Sequence, residues 1–214
     1  MRIAGLYAVT PDVDDTALLV AKVTAAISGG ATMVQYRHKS AAASRKLEQA
    51  RALAAACSGR ALFIVNDDAA LARAVAADGV HVGEDDGAVT QARAIVGAER
   101  IVGVSCYNEL ARARRMAAEG ADYLAFGSFY ASSVKPLARH AAPSLLHDAR
   151  SLRLPLVAIG GITAANASAL VHAGADAVAV ISDLFDHEEP SAVSRAAAAI
   201  ASIFQSQRPP PGSP

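Results

Sequence analysis

The chain has 214 residues, 53% of them apolar and 19% charged, with twenty basic residues balanced by twenty acidic ones. That length supports one sizeable core, and the apolar content excludes a disordered chain. Zero net charge excludes a global field drawing in nucleic acid or an anionic membrane, so an anionic ligand must be held by a local cluster. No stretch approaches the roughly 18–20 uninterrupted apolar residues of a membrane span. The N-terminal MRIAGLYAVTPDVDD reaches acidic residues before any long apolar run, which makes a poor signal peptide. Cys57 and Cys106 have neither CxxC spacing nor histidines at ligand spacing, and read as reduced thiols of a cytoplasmic protein.

In chain order, short β-rich runs alternate with longer Ala-rich stretches. The spacing predicts a strand at Ile3–Val9, a helix at Asp14–Ser28, a strand at Thr32–Arg37 and a helix at Ala42–Cys57. It continues with strand Ala61–Asn66, helix Ala69–Ala77, strand Gly79–Val82, helix Gly87–Val96, strand Ile101–Ser105 and helix Asn108–Glu119. The last pairs are Tyr123–Phe126 with Ala142–Leu152, Leu156–Ile159 with Ala164–His172, and Ala177–Ile181 with Ser191–Ser206. Runs such as LFIV, LVAI and AVAVI are apolar on consecutive residues, as in strands buried on both faces of a parallel sheet. Eight right-handed β/α units predict an α/β fold, a (β/α)8 TIM barrel, as a single domain over residues 1–204. Residues 205–214 read as a disordered tail, since QSQRPPPGSP cannot continue a helix. An open dinucleotide-binding sheet is disfavoured, because the first turn, VTPDVDD, carries no GxGxxG.

Gly29-Gly30-Ala31, Asp78-Gly79, Gly120-Ala121-Asp122 and Gly174-Ala175-Asp176 each fall between a helix and the next strand. Glycine there supplies a left-handed C-cap, so these repeats mark the base of the barrel. Chemistry belongs at the other rim, where the strands end. There the strands run out into Gln35-Tyr36-Arg37-His38-Lys39, Asn66-Asp67-Asp68, Gly83 to Asp86, Ser105, Gly127 to Lys135, Gly160-Gly161 and Ser182-Asp183.

The chain has only four lysines against sixteen arginines, and two of them, Lys39 and Lys135, fall at predicted strand tops. Alternation puts Gln35, Arg37 and Lys39 on one side of the second strand, facing the barrel axis. Two cations and an amide gathered there favour an anion site over a basic surface loop. Asp67 and Asp86 end adjacent strands and are the metal candidates. Hard oxygen ligands near phosphate favour Mg²⁺; helix N-capping is the alternative for both, and is the reading for Asp68. Gly160-Gly161 and Ser182 match a recurrent phosphate cradle after strands seven and eight. His81 reads as a packed, hydrogen-bonded histidine, His38 as a weak candidate, and Cys106 as a poor nucleophile with no base nearby. Two anion sites with a metal suit substitution at carbon with pyrophosphate leaving, which requires no protein nucleophile.

The ordered motifs LYAVTPD, VQYRHK (Val34–Lys39), VNDD (Val65–Asp68), GVHVGEDD (Gly79–Asp86), GVS (Gly103–Ser105), FGSFYASSVKP (Phe126–Pro136), AIGGI (Ala158–Ile162) and GADAVAVIS (Gly174–Ser182) resemble thiamine-phosphate synthases across residues 3–204. The resemblance implies condensation of 4-amino-2-methyl-5-hydroxymethylpyrimidine diphosphate with 4-methyl-5-(2-phosphoethyl)thiazole, with pyrophosphate leaving first. It implies that Gln35, Arg37, Lys39, Asn66, Ser105 and Lys135 hold the pyrimidine diphosphate, with Arg37, Lys39, Ser105 and Lys135 serving catalysis. It assigns Asp67 and Asp86 to Mg²⁺, and Ser132, Gly161, Ile181 and Ser182 to the thiazole phosphate. The chain departs from the family pattern at Glu84, where glutamine is usual, and in the strand-six loop, which carries Ser128, Ser132 and Val134 in place of a proline and two threonines. The expected partners are the two small substrates, with no nucleic acid and no membrane, and with homo-oligomerisation left open. The rival readings are the paralogous thiazole tautomerase, which needs an acid/base residue and no diphosphate site, and a non-catalytic phosphate-binding barrel.

Overall fold

The computed structural model describes residues 2–83, 89–131 and 140–205. Its strands are β1 Gly5–Val9, β2 Ala31–Tyr36, β3 Leu62–Asn66, β4 Gly79–Val82, β5 Ile101–Tyr107, β6 Tyr123–Phe126, β7 Leu156–Ile159 and β8 Ala177–Val180. All neighbours pair in parallel in chain order, and β8 pairs back onto β1, closing the expected barrel. The surrounding helices are α1 Thr16–Ser28, α2 Ala43–Cys57, α3 Ala69–Ala74, α4 Val89–Val96, α5 Leu110–Ala118, α6 Ser144–Ala149, α7 Ala167–His172, α8 Ser182–Phe185 and α9 Pro190–Gln205.

The consecutive apolar residues have the predicted cause. In β3, Phe63 and Val65 pack outward under the helices, while Leu62 and Ile64 fill the barrel with Tyr7, Met33, Tyr123 and Val157. Both faces of each strand are dry, so no polar alternation survives. The outer helices are held by the same burial: Val193, Ala197 and Ile200 of α9 are fully covered.

At the barrel base, Asp78, Asp122 and Asp176 do one job. Each carboxylate accepts an N–H from the first or second residue of the preceding odd strand: Phe63 at 2.7 Å, Val102 at 2.7 Å and Leu156 at 2.9 Å. A buried strand start would otherwise leave that donor unpaired, at a cost of about 1–3 kcal/mol. The expected left-handed glycine caps hold at Gly30, Gly120 and Gly174. They fail before β4. Ala76 takes the positive φ there, and Gly79 lies in the strand, where a Cβ would come within 2.2 Å of the Ile101 carbonyl oxygen.

Several element boundaries differ from the sequence reading. The second strand ends at Tyr36, before Arg37; the fifth runs on to Tyr107 through a bulge at Cys106; α3 stops at Ala74, short of Ala77; and α9 ends at Gln205, one residue before Ser206. The short helix α8 was not foreseen, because four residues show no readable period. No helix among the described residues is long and apolar enough to cross a membrane.

Candidate active site

The inward register of the strands decides which rim residues meet. Gln35 of β2 and His81 of β4 are buried at the upper end of the barrel interior, and Ser105 of β5 is half-buried beside them. Asn66 ends β3 opposite His81. Below them the interior is polar in one continuous line. Gln35 Nε2 donates to Tyr7 Oη at 2.8 Å, and Tyr7 Oη lies 2.9 Å from Tyr123 Oη. Tyr123 Oη is 2.9 Å from His81 Nδ1, and His81 Nε2 is 2.9 Å from Ser105 Oγ. The imidazole also stacks on the Tyr123 ring, at a centroid distance of 5.5 Å. His81 is thus the packed, hydrogen-bonded residue the sequence suggests. Burial raises the pKa of both phenols, so they remain protonated donors throughout the neutral range.

Gly103 makes this line possible. A Cβ on it would fall 1.9 Å from the Tyr123 ring, so the glycine of GVS is the space into which the phenol fits.

The loop after β2 carries the cations, and Asp12 organises it. Asp12 Oδ1 lies 3.3 Å from the Arg37 guanidinium, and the same carboxylate accepts from the Lys39 N–H at 3.3 Å and the Ser40 hydroxyl at 3.4 Å. Thr10 fastens the loop base: its hydroxyl accepts from Arg37 N–H at 2.9 Å and donates to Arg37 C=O at 3.0 Å. The expectation that Lys39 faces the axis with Gln35 and Arg37 is corrected. Lys39 is exposed, because strand alternation ends with the strand at Tyr36. Its side chain instead lines a cleft of about 580 Å³ with Lys46, Asn66 and Asp67, between the strand tops and α3 and α4. Lys39, Asn66 and Asp67 therefore do share one space.

The choice between Asp67 and Asp68 is made by the helix start. Asp68 is the N-cap of α3 and accepts the Leu71 N–H at 2.8 Å. Asp67 adopts φ 65°, with its own N–H on the His81 carbonyl at 2.8 Å. The tip of β3 thus holds a carboxylate that is not the helix cap. A hard-oxygen donor of this kind suits Mg²⁺, which takes few protein carboxylates and fills its remaining positions with phosphate and water. Among the described residues no group of three His, Cys, Asp or Glu side chains gathers at metal-holding distance. Asp86, the second expected ligand, lies outside the described residues, as do Glu84, Ser132, Val134 and Lys135.

The tops of β7 and β8 form a second cleft of about 430 Å³, lined by Gly161, Ile181 and Ser182 as expected, with Thr163, Asp183 and His187. Gly161 has φ 63°, and a Cβ would stand 2.3 Å from the Ala131 carbonyl oxygen. Only glycine lets the β7 loop pass this close under the strand-six loop. Asn166 ties the loop down, donating to Gly161 C=O at 3.0 Å and accepting Thr163 N–H at 2.8 Å. Ser182 opens α8, so the unforeseen helix supplies this cleft with a backbone turn.

A family profile described as thiamine monophosphate synthase matches residues 6–184. The chain belongs to the thiamine monophosphate synthase family. It is 52% identical over 193 residues to the thiamine-phosphate synthase of Xanthomonas campestris pv. campestris strain 8004, covering 90% of this chain and 93% of that protein. It is 53% identical over 191 residues to the thiamine-phosphate synthase of Azoarcus sp. strain BH72, covering 88% and 93%. In three dimensions it superposes on the thiamine phosphate pyrophosphorylase of Pyrococcus furiosus with a TM-score of 0.83 and 34% identity, covering 95% of this chain and 96% of that one.

Within this family member, several residues that contact the candidate site carry no local sequence signal. Asp12 was visible in LYAVTPD, but its pairing with Arg37 spans 25 positions. Tyr7 and Tyr123 read as ordinary strand aromatics. Arg112 of α5 donates to Ser105 C=O at 2.8 Å and to Gly83 C=O at 3.3 Å, bracing the tops of β5 and β4. No local signal separates Arg112 from the other arginines of that helix. Cys106 is buried and its thiol is pushed up to about 12 by burial, which agrees with the poor-nucleophile reading.

Proposed function

We propose that this chain acts as a thiamine-phosphate synthase, joining 4-amino-2-methyl-5-hydroxymethylpyrimidine diphosphate to 4-methyl-5-(2-phosphoethyl)thiazole and releasing thiamine phosphate and pyrophosphate. One observation carries the reading. A chain about half identical to thiamine-phosphate synthases presents Gln35, Asn66 and Ser105 at the strand tops of one barrel rim, with a glycine-lined cleft at β7 and β8 on that rim.

In the proposed reaction the C–O bond of the diphosphate ester breaks, and its electron pair leaves with pyrophosphate. The pyrimidine ring stabilises the methylene cation, and the thiazole nitrogen lone pair then forms the C–N bond. No electron donor or acceptor is needed. Arg37, Lys39 and Lys135 offset the charge that grows on the leaving group, and Ser105 and Asn66 hold its oxygens; stabilisation of this kind typically contributes about 10²–10³ in rate per group. Gln35 orients the pyrimidine diphosphate from the buried side. Asp67 and Asp86 would hold Mg²⁺, which when bound adds positive charge at the departing diphosphate. The backbone of Gly161, Ile181 and Ser182, with Ser132, receives the thiazole phosphate. The products are water-soluble, and the reading includes a cytoplasmic location.

The test is turnover by the purified chain. With both substrates and Mg²⁺ it should form thiamine phosphate and pyrophosphate in equal amounts, and with either substrate alone neither product. A chain that isomerises the thiazole phosphate but forms no thiamine phosphate would be the tautomerase. Binding of both ligands without any conversion would make it a binding barrel.

A further inference from the structure

The buried line from Gln35 to Ser105 has a direction, and the direction matters for an anion. Gln35 donates to Tyr7 Oη, so the Tyr7 proton turns to its other partner, Tyr123 Oη. Tyr123, having accepted, sends its own proton to His81 Nδ1. An Nδ1 that accepts leaves the imidazole proton on Nε2, which then donates to Ser105 Oγ. Ser105 receives a hydrogen bond from below and keeps its own proton for the mouth of the barrel.

We infer that Tyr7, Tyr123 and His81 are positioning residues that hold Ser105 as a hydrogen-bond donor toward an acceptor-only phosphate oxygen. The reverse direction would turn the Ser105 proton inward to His81 and point hydroxyl lone pairs at the anion. With Gln35 donating, the reverse direction would also leave the buried Tyr7 proton without an acceptor in this line, so the forward direction satisfies one more buried group. The phenols suit this role: they are fully covered, and burial keeps them protonated. Gly103 supports it too, since the cavity it leaves is filled by the Tyr123 ring. The choice of a diphosphate as ligand rests on the synthase reading; the direction of the relay does not.

Two measurements test the relay. Histidine-selective ¹⁵N NMR of the wild-type chain, with the His81 signal assigned by its loss in His81→Gln, should show the Nε2–H tautomer. Tyr123→Phe should convert it to a mixture of tautomers. Calorimetric binding of inorganic pyrophosphate with Mg²⁺ should weaken about tenfold in Tyr123→Phe and in Ser105→Ala. The double variant should bind no more weakly than Ser105→Ala alone, because the phenol acts through the serine. His81→Gln, whose amide can still donate upward, should retain more affinity than His81→Ala. If Tyr123→Phe does not fold, Tyr7→Phe interrupts the same line one link earlier and takes its place in both measurements. An Nδ1–H tautomer in the wild type, additive losses in the double variant, or no pyrophosphate binding by the wild type would each overturn the inference. The expected tautomer and cycle in a chain that makes no thiamine phosphate would count against the synthase reading alone.

Discussion

Two neighbouring aspartates at the end of β3 show how a single backbone angle divides labour. Asp68 spends its carboxylate on the Leu71 N–H and starts α3, while Asp67, at φ 65°, is not that cap. Asp67→Asn keeps the hydrogen-bonding shape and removes the charge. It should raise the Mg²⁺ concentration needed for half-maximal activity at least tenfold by titration and leave the thermal midpoint within a few degrees. A large fall in the midpoint with an unchanged Mg²⁺ response would return Asp67 to a structural role. Lys135 belongs to the same scale. Lys135→Ala should lower kcat by about 10²–10³-fold in a steady-state assay, since a lost charge stabiliser acts on the transition state. An unaltered kcat would put Lys135 outside the chemistry.

At the level of elements, the β7 loop and α8 act as one unit. Gly161 passes under the strand-six loop with no room for a side chain, and Asn166 holds the loop from the other side. Gly161→Ala adds a methyl group against the Ala131 carbonyl oxygen and places alanine at a φ it rarely takes, at a cost of roughly 1–3 kcal/mol. The loop should yield locally. The KM for the thiazole phosphate should rise about tenfold or more, and the KM for the pyrimidine diphosphate should stay within about twofold, as read by varying each substrate in turn. Equal changes in both would mean that the two clefts are not separate subsites. The β2 loop teaches the converse lesson about sequence. Alternation is a sound guide through Tyr36, which faces α2, and lapses after it, where the strand stops and Asp12 and Thr10 dictate the path.

For the molecule as a whole, closure of the barrel buries groups that would ionise in water. Cys57 and Cys106 are pushed from an ordinary 9.0 up to about 12, mainly by burial, and Tyr7 and Tyr123 are raised above 10.0 for the same reason. An unfolded chain ionises the two thiols near pH 9 while the fold keeps them neutral. Their contribution is therefore complete below about pH 9 and is lost as pH climbs toward about 12. Urea midpoints measured from about pH 7 to about pH 11 should be level at first and then fall, with about 1 kcal/mol lost per thiol by about pH 10. The Cys57→Ala/Cys106→Ala variant should fall less steeply than the parent. Equal slopes would show that the thiols are solvated in the fold.

The chain's own order of residues determined most of the architecture. Consecutive apolar runs announce strands buried on both faces, glycine-rich steps announce the base, and polar strand ends announce the working rim, because each depends on neighbours within a few positions. Gln35, Asn66, Ser105, Gly161 and Ser182 were legible in that way. Tertiary structure alone decided the rest: that Asp12 meets Arg37, that Lys39 turns outward, that Arg112 braces Ser105, and that two phenols and an imidazole join Gln35 to Ser105. Those contacts join residues from different strands and helices, and only the shear and closure of the barrel bring them within hydrogen-bond distance.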